Sequence, residues 1–387
     1  MSAPLRVQLV DGPSGFASLA NECDDLARRM QPRLPFATSC WLGLWWKHYC
    51  EDRLWVRDTF LLHTVRDEHG ALLALAPLML TERPGAGPLR TRALTFFGGD
   101  KNVTELRGLV CAPQAEGAVA RALLAHVAEQ GEEWDWFLWN GVRKDSEAYS
   151  VLTQAGHFEW TGENVDYVLP LPTTWQEFRG SRSRNIKESL RKCYNSLKRD
   201  GHSFKFRVVS EAAEMPAALS RFFALHACRA RSPTQIHHQD VFSTTRARQL
   251  VRDVAANPSS TLSVRVFELE IAGNVVASRL GFVLGDELYL YFSGYEPSWG
   301  GYSVMTTTVA ESIKWAIDNR FRLVNLSPGT DISKTRWGAT PITTVNGVLL
   351  SPTRRGKWVF RVAAELNERS RSGTLLGKVV DRARRLG

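Results

Sequence analysis

The feature of this sequence that most constrains its fold is a meander of three strands joined by two glycine turns. Residues 262–271, 275–284 and 287–294 are predicted strands, and the dipeptides Gly-Asn at 273–274 and Gly-Asp at 285–286 separate them. Glycine-containing two-residue connections between alternating segments are strong signals for β-hairpins. The second half of the chain is therefore expected to contain three consecutive antiparallel strands.

The same order of elements occurs twice along the chain. After the meander, a helix is predicted to about residue 319 and a strand at 323–326. A weaker copy has predicted strands at 59–66, 71–80, 92–97 and 134–140, with a helix at 114–130 before the last strand. A duplicated unit of meander, helix and strand indicates the α+β class. We expect two tandem domains, each a mixed, mostly antiparallel sheet flanked by helices.

A proline pair marks the predicted domain boundary. The tripeptide Pro-Leu-Pro at 170–172 interrupts both helix and central strand. The predicted organisation is a first domain at residues 1–170, a second at 171–352, and a basic helical tail at 353–387.

Composition excludes several classes of protein. At 44% hydrophobic and 23% charged residues, the 387-residue chain has the balance of a globular protein with room for two cores. The six cysteines form no Cys-x-x-Cys pair, and only His237 and His238 are adjacent histidines. We therefore expect no metal site and no disulfide framework. Without an apolar run of about 18 residues, no membrane-spanning helix is expected, and the predicted location is cytoplasmic.

Positive charge is concentrated in two segments. Residues 179–207 hold ten Lys or Arg against two acids, and residues 354–387 hold ten against three. A predicted helix at 181–200 carries an apolar stripe (Ile186, Leu190, Cys193, Leu197) and a basic stripe (Arg184, Lys187, Arg191, Lys198). The basic stripe is either a solvated face or faces an anion.

The tail is expected to pack on a neighbouring face, or to make a weak contact with an anionic membrane at its inner side. Nucleic acid is not an expected partner, because the basic stripe has few aromatic residues for base stacking.

A glycine-containing turn precedes the second predicted helix. The chain has no Ser-His-Asp constellation, Walker loop or Rossmann glycine fingerprint. Gly300, Gly301, Tyr302 and Ser303 instead follow a strand and open a helix. Backbone amides at a helix start bind phosphate through unpaired N–H groups and the helix dipole. These four residues are the predicted cofactor-binding residues, although such a glycine pair is also a common tight turn.

Several motifs resemble a known family. They are a serine- and arginine-rich helix start at 181–201, Phe-Phe-Ala-Leu-His-Ala-Cys-Arg at 222–229, Leu-Tyr-Leu-Tyr-Phe-Ser-Gly-Tyr at 288–295, Leu-Ser-Pro-Gly-Thr-Asp at 326–331 and Lys-Thr-Arg-Trp-Gly at 334–338. In this order they resemble the BioF2-like, CelD-type acyltransferases of the GCN5-related N-acetyltransferase (GNAT) superfamily. The resemblance covers about residues 175–344, and the two-domain layout is similar to the FemAB-like peptidoglycan aminoacyl ligases.

This resemblance implies two GNAT-like domains, a degenerate first and a catalytic second, with acyl-coenzyme A as co-substrate. The superfamily's usual pyrophosphate loop, Arg/Gln-x-x-Gly-x-Gly/Ala, is absent, and residues 299–304 read Trp-Gly-Gly-Tyr-Ser-Val in its place. The identity of the donor therefore stays open, with aminoacyl-tRNA and an acyl-carrier protein as the alternatives to acyl-coenzyme A.

Acyl transfer needs a group that takes a proton and groups that stabilise an oxyanion. Asp331, just after a strand end, is the predicted general base, with His226 as the alternative. Tyr291 is predicted to protonate the leaving thiolate. The predicted substrate-binding residues are Arg229, Ser293, Lys334, Arg336 and Trp337. Each also has a purely structural interpretation, as a turn aspartate, a satisfied histidine, a packed aromatic residue or an exposed cation.

Three functions follow from these observations. The first is transfer of an acyl group from a thioester to an amine or hydroxyl, on a small molecule, a sugar or a cell-envelope precursor, as in polysaccharide biosynthesis. The second is transfer of an amino acid from charged tRNA, which the basic stripe favours. The third is a non-catalytic scaffold of envelope assembly that uses the basic tail.

Overall fold

The structure is a computed structural model that describes most of the chain. It covers residues 5–84, 90–100, 102–131, 133–155, 158–232, 238–258 and 260–371, with side chains described up to residue 362. Residues 372–387, the end of the predicted basic tail, lie outside this part.

Fourteen strands belong to the described part of the chain. In chain order they are β1 (Arg6–Leu9), β2 (Asp52–Arg53), β3 (Val56–Arg66), β4 (Leu72–Pro84), β5 (Arg90–Phe96), β6 (Val110–Cys111), β7 (Trp136–Arg143), β8 (Phe158–Pro170), β9 (Phe204–Val209), β10 (Leu262–Ile271), β11 (Asn274–Leu284), β12 (Glu287–Tyr295), β13 (Leu323–Pro328) and β14 (Thr340–Leu350).

The helices flank these strands. They are α1 (Gly12–Ser18), α2 (Ala20–Arg29), α3 (Ser39–Tyr49), α4 (Glu116–Glu129), α5 (Glu147–Gln154), α6 (Trp175–Ser181), α7 (Arg184–Arg199), α8 (Met215–Arg231), α9 (Thr245–Ala256), α10 (Val304–Asp318), α11 (Ile332–Thr335) and α12 (Arg354–Arg371). No helix in the described residues is both long and apolar enough to cross a membrane.

All of the strands join one open sheet. The order is β1-β3-β4-β5-β7-β14-β8-β13-β12-β11-β10-β9, with β2 beside β3 and β6 beside β4. The pairs β5–β7 and β12–β13 are parallel, and the other pairs are antiparallel. The predicted α+β class with a mostly antiparallel sheet is confirmed, although the two halves share a single sheet. The boundary predicted at residue 170 stays a prediction.

The centre of the sheet is built by strand exchange. The first half contributes β1-β3-β4-β5-β7 from one edge inward, and the second half contributes β9-β10-β11-β12-β13 from the other. Between them, β8 of the first half pairs with β13 of the second, and β14 of the second half pairs with β7 of the first. The two exchanged strands also pair with each other. Each half therefore completes the sheet of the other.

Helix α7 follows its sequence pattern. The Ser183 hydroxyl accepts the Ile186 N–H at 3.5 Å and caps its start. The four apolar stripe residues are buried, where they pack between α10 and the sheet, and the four basic stripe residues are exposed. Burial of the apolar face therefore orients the cations towards solvent.

In the first half, a segment of the chain lies where the two parallel strands separate. Strands β5 and β7 pair only at Ala93–Thr95 with Trp136–Leu138. The following segment, residues 98–100 and 102–109, is here called the plug segment. A Cβ added to Gly141 of β7 would lie 2.2 Å from the Arg107 carbonyl oxygen of this segment. The two backbones are therefore in direct contact, and the plug segment is held against β7.

The plug segment also contacts the aromatic helix α3. The Trp45 indole donates to Asp100 at 2.6 Å, and the Trp41 indole donates to Thr104 at 3.2 Å. Both tryptophans are buried, so α3 and the plug segment share the core of the first half.

Replacing Gly141 with alanine should destabilise the protein by about 2 kcal/mol or more. Gly141 has φ of +71°, and its new Cβ would meet a backbone oxygen. Gly162→Ala in β8 is the matched control, because its Cβ would have no neighbour within 4 Å, and a change below about 1 kcal/mol is expected. Urea unfolding followed by circular dichroism measures both. Equal stability of the two variants would contradict the described backbone contact.

Candidate functional site

A cleft opens where β12 and β13 separate. The two strands pair only at Glu287–Tyr289 with Leu323–Asn325. Beyond these pairs, β12 has a bulge opposite Arg279 and Gly281, and β13 has a left-handed φ of +67° at Ser327. Both irregularities direct the two strands away from each other. The gap has about 240 Å³ of free volume and is here called the donor cleft.

The first turn of α10 forms one wall of the donor cleft. Ser303 has the left-handed backbone φ 54°, ψ 40°, and the helix begins at Val304. Val304, Met305 and Thr306 line the cleft. The first N–H groups of a helix have no acceptor within it, and they carry the positive end of the helix dipole. This wall can therefore bind an anionic group.

The predicted cofactor-binding turn is shifted relative to these amides. Residues 297–302 form a 3-10 helix, in which the Ser303 N–H already donates to the Gly300 carbonyl at 3.0 Å. Gly300 and Ser303 line the donor cleft, but Gly301 is exposed and the Tyr302 ring packs against Trp299 and His202. The Ser303 amide is therefore already engaged, and cofactor binding by residues 300–303 stays a prediction.

Three arginines line the donor cleft. Arg229 donates to the Ser293 hydroxyl at 2.6 Å and contacts His238 at 3.0 Å. Arg336 contacts Ser189 of α7. Burial lowers the pKa of Arg229, and burial beside Arg229 lowers that of Arg279 to about 10. Arg229 and Arg279 therefore still carry their charge at neutral pH, and the cleft is positive.

Four of the five predicted substrate-binding residues meet in this cleft. Arg229, Ser293, Arg336 and Trp337 line it together. Trp337 is only 1% exposed. The fifth residue, Lys334, extends away from the cleft, and its ammonium donates to the hydroxyl and carbonyl of Ser327 at 3.1 and 3.3 Å.

His226 lies beneath the cleft. A ring nitrogen, Nδ1, bonds to the Ser293 carbonyl at 2.9 Å, and Nε2 is 3.9 Å from Asp240. Burial lowers the pKa of this imidazole. A Cβ on Gly294 would lie 2.2 Å from the His226 backbone nitrogen, so α8 sits directly on β12. His226 therefore holds strand and helix together, and the base role predicted for it stays a prediction.

Tyr291 lies in the core. It is 2% exposed, its hydroxyl donates to the Val103 carbonyl, and its ring packs against Phe282 at 5.0 Å. Burial raises the pKa of this phenol. The bulge in β12 turns Ser293 towards the cleft and leaves Tyr291 facing the first half. Tyr291 therefore makes a structural contact, and its protonation of a thiolate stays a prediction.

Asp331 caps the short helix α11. Its carboxylate accepts the Ser333 N–H at 3.0 Å, and the residue is exposed at the rim of the cleft. It faces three cations, Arg229, Arg279 and Lys334, with which it interacts electrostatically. The general-base role of Asp331 stays a prediction.

Charged residues that were not predicted from the sequence lie at the seam, where the strands of the two halves pair. Glu105 of the plug segment accepts the Tyr289 hydroxyl at 2.9 Å. Asp166 of β8 accepts the Asn325 side-chain amide at 2.6 Å. Lys334 interacts electrostatically with both carboxylates, and Arg279 interacts with Glu105. We call these four residues, Glu105, Asp166, Lys334 and Arg279, the seam cluster. No motif marks Glu105 or Asp166, because strand exchange and the plug segment bring them to the second half.

Burial dominates the titration of this cluster. It raises the pKa of Glu105 to about 7 and that of Asp166 to about 6, while the charge of Lys334 opposes both shifts. Burial also lowers the pKa of Lys334. Groups with such shifted values are suited to proton transfer near neutral pH.

A second, polar cleft lies on the first-half side of Glu105. It has about 200 Å³ of free volume, and amide, carboxylate, hydroxyl and guanidinium groups line it: Asp100, Asn102, Thr104, Glu105, Arg107, Asn140, Asn164 and Asn346. Arg279 lines the donor cleft and interacts with Glu105. The seam cluster therefore lies between the two clefts. The described residues contain no group of three His, Cys, Asp or Glu that could hold a metal ion.

A family model described as an acetyltransferase (GNAT) domain matches residues 184–335. This part of the chain is a GNAT domain. The match includes β12, α10, β13 and most of the donor cleft, and it confirms the resemblance inferred from the motifs. No curated protein matches the chain significantly.

Several solved structures are similar to this chain. The crystal structure of FemX is 12% identical and superposes with a TM-score of 0.57 over 84% of this chain and 95% of that one. Two others are L-PGS from Bacillus licheniformis (11% identity, TM-score 0.45, 84% and 90% covered) and a tandem GNAT protein from the clavulanic acid biosynthesis pathway (10%, 0.46, 90% and 97%). The FemX similarity shows a common fold, so the FemAB-like tandem layout is confirmed.

Replacing Asp166 with asparagine should change how stability depends on pH. The folded protein binds the Asp166 proton more tightly than the unfolded chain, because burial raises its pKa from 3.8 to about 6. The wild type therefore loses this contribution as pH rises through about 6. Relative to wild type, Asp166→Asn should gain about 2 kcal/mol between pH 4 and pH 7.

Urea unfolding at a series of pH values measures this difference. Glu159→Gln, an exposed substitution on the same strand, serves as the control. A difference between Asp166→Asn and wild type that is constant with pH would contradict a buried, proton-binding Asp166.

Proposed function

We propose that the protein is an acyltransferase that moves an acyl group from a thioester, with acyl-coenzyme A as the first candidate, to an amine or hydroxyl. The observation that carries this proposal is the donor cleft, which opens between two separating strands of a GNAT domain against the first turn of a helix. Acyl transfer requires no more than positioned donor and acceptor, a proton acceptor and charge stabilisation.

The donor would be held by backbone amides and cations. The amides of Val304 and Met305 offer hydrogen bonds to a phosphate, and Arg229 and Arg336 add positive charge in the same cleft. This arrangement supports a donor with a phosphorylated carrier group. It does so without the usual glycine loop of the superfamily, because the start of α10 is exposed to the cleft.

Glu105 is the proton acceptor in this proposal. The nucleophile would lie in the polar cleft beside Glu105, where its polar neighbours suit a hydrophilic acceptor such as an amino sugar or another envelope precursor. Loss of a proton to Glu105 accompanies formation of the new C–N or C–O bond. The C–S bond then breaks, and the thiolate takes up a proton. Arg279 and Lys334 interact electrostatically with Glu105 and would oppose the developing negative charge.

A second candidate is transfer from aminoacyl-tRNA. The observation that favours it is the contact of Ser189 on α7 with Arg336 in the donor cleft, since the exposed basic stripe lies on the same helix. Within the stripe, however, Arg184 pairs with Glu188 and Lys187 donates to the Gly180 carbonyl. Part of its charge is therefore already engaged.

Incubation with labelled donors separates the candidates. Acetyl-CoA, longer acyl-CoAs and charged tRNA are each offered with a panel of amine and hydroxyl acceptors, including amino sugars. Label transfer from an acyl-CoA supports the proposal, and transfer from charged tRNA alone supports the second candidate. If the protein neither binds nor uses any of the three donors, the result favours the hypothesis of a non-catalytic scaffold.

Met305→Glu should weaken coenzyme A binding at least about tenfold. Met305 is half-buried in the cleft at the first turn of α10. A carboxylate there stabilises the helix through its dipole but repels a phosphate. Met305→Gln has the same shape without charge and should bind nearly as wild type. Titration calorimetry measures both affinities, and equal binding by the two variants would remove α10 from the donor site.

Glu105→Gln should lower the turnover constant about a hundredfold or more, because it keeps the shape and removes the proton acceptor. In the wild type, turnover should fall as pH drops through about 7, where Glu105 becomes protonated. The variant should lose this dependence. Asp331→Asn, at the rim, is the comparison. If Asp331→Asn abolishes turnover and Glu105→Gln does not, the base role returns to Asp331.

A further inference from the structure

Exposed apolar side chains are concentrated at one end of the molecule. Among the described residues, five large apolar side chains are exposed, and three of them are Leu54 (77%), Trp55 (58%) and Trp358 (51%). Leu54 and Trp55 form the turn between β2 and β3, and Trp358 lies in the first turns of α12. The other two, Leu9 and Ile332, lie on β1 and α11.

A chain of hydrogen bonds joins the hairpin turn to the helix. The Leu54 carbonyl accepts from Arg90 at 3.3 Å, and the Arg90 carbonyl accepts from Arg355 at 3.0 Å. Arg355 lies one turn before Trp358 in α12. The hairpin turn and the start of α12 therefore lie at the same end of the sheet.

The exposure of Trp358 is a consequence of how α12 is anchored. Arg355 donates to the buried carboxylate of Asp135 at 3.1 Å. Val359 is 3% exposed, and the ring of Phe360 packs edge-on against Trp136 at 5.8 Å. The side of the helix that carries these two residues is buried, so Trp358 is directed outward by a packed helix.

Cations surround the three side chains. Eight exposed Lys or Arg lie on β2 to β5 and on α12: Arg53, Arg57, Arg83, Arg90, Arg354, Arg355, Lys357 and Arg361. The acids nearby along the chain are Glu51, Asp52, Asp58 and Glu82, and Glu51 is paired with Arg53 and Arg246. This end of the molecule is therefore both apolar at its tips and positively charged.

We propose that this end, here called the tryptophan surface, binds anionic lipid bilayers. Tryptophan favours the boundary between headgroups and acyl chains, where its ring is buried and its N–H is solvated. An aliphatic side chain at the tip of a hairpin gains by entering the acyl region, and the surrounding cations attract anionic headgroups. Nucleic acid would match the cations but not Leu54, which has no aromatic face for stacking.

The tryptophan surface is separate from the proposed catalytic residues. It uses no residue of the donor cleft or the seam cluster, so the proposal is independent of the proposed function. It also differs from the predicted membrane contact of residues 372–387, which lie outside the described part of the chain. Binding would orient the protein at the bilayer with its hairpin turn and the start of α12 towards the lipid.

Flotation with vesicles tests the proposal on the full-length chain. Vesicles of phosphatidylcholine with about 30% phosphatidylglycerol are compared with phosphatidylcholine alone, at low and high salt. The wild type should bind the anionic vesicles and lose binding as salt rises. The double variant Leu54→Ser/Trp55→Ser should bind at least about tenfold more weakly. Arg354→Ser and Lys357→Ser should each cost about fivefold.

Leu9→Ser is the matched control, because it removes an exposed leucine from the edge strand β1 and should leave binding unchanged. Thermal unfolding of every variant checks that the fold is retained. The proposal is overturned if the full chain does not bind anionic vesicles, or if the serine variants bind as wild type. It is also overturned if only deletion of residues 372–387 abolishes binding, or if the same variants lose affinity for tRNA and the wild type ignores vesicles.

Discussion

The backbone hydrogen bonds of the two exchanged strands determine the rest of this structure. A sheet edge has a row of unpaired N–H and C=O groups, and burying such an edge without partners is costly. Here β14 pairs with β7 and β8 pairs with β13, so each half satisfies the edge of the other. The seam is therefore a ladder of main-chain bonds, and it fixes Asp166 of one half beside Asn325 of the other.

The two halves use one architecture in different ways. In both, a pair of parallel strands separates after three paired residues. In the second half the gap is the donor cleft beside α10. In the first half the plug segment is packed into the gap, and its residues 103 and 105 accept hydrogen bonds from the tyrosines of β12. In the first half, the space that forms a cleft in the second half is therefore filled by a segment that contacts the second half.

Local patterns in the sequence predicted most of this fold. The glycine turns of the meander, the apolar stripe of α7 and the duplicated order of elements each depend on neighbours within a few residues. The strand β14 was not predicted, although its residues are apolar enough, because its partners lie about 200 residues earlier in the chain. The same holds for the site. Arg229, Ser293, Arg336 and Trp337 belong to motifs, whereas Glu105 belongs to none and reaches the second half only through the tertiary fold.

Strand exchange also has a consequence for synthesis of the chain. During translation, β7 is complete near residue 143, but the strand that covers its inner edge ends only at Leu350. Folding of nascent chains generally proceeds domain by domain from the N-terminus. In this protein the inner edge of β7 stays without its partner until residues 340–350 have been synthesised. A chaperone that shields β strands would have its longest period of action during that interval.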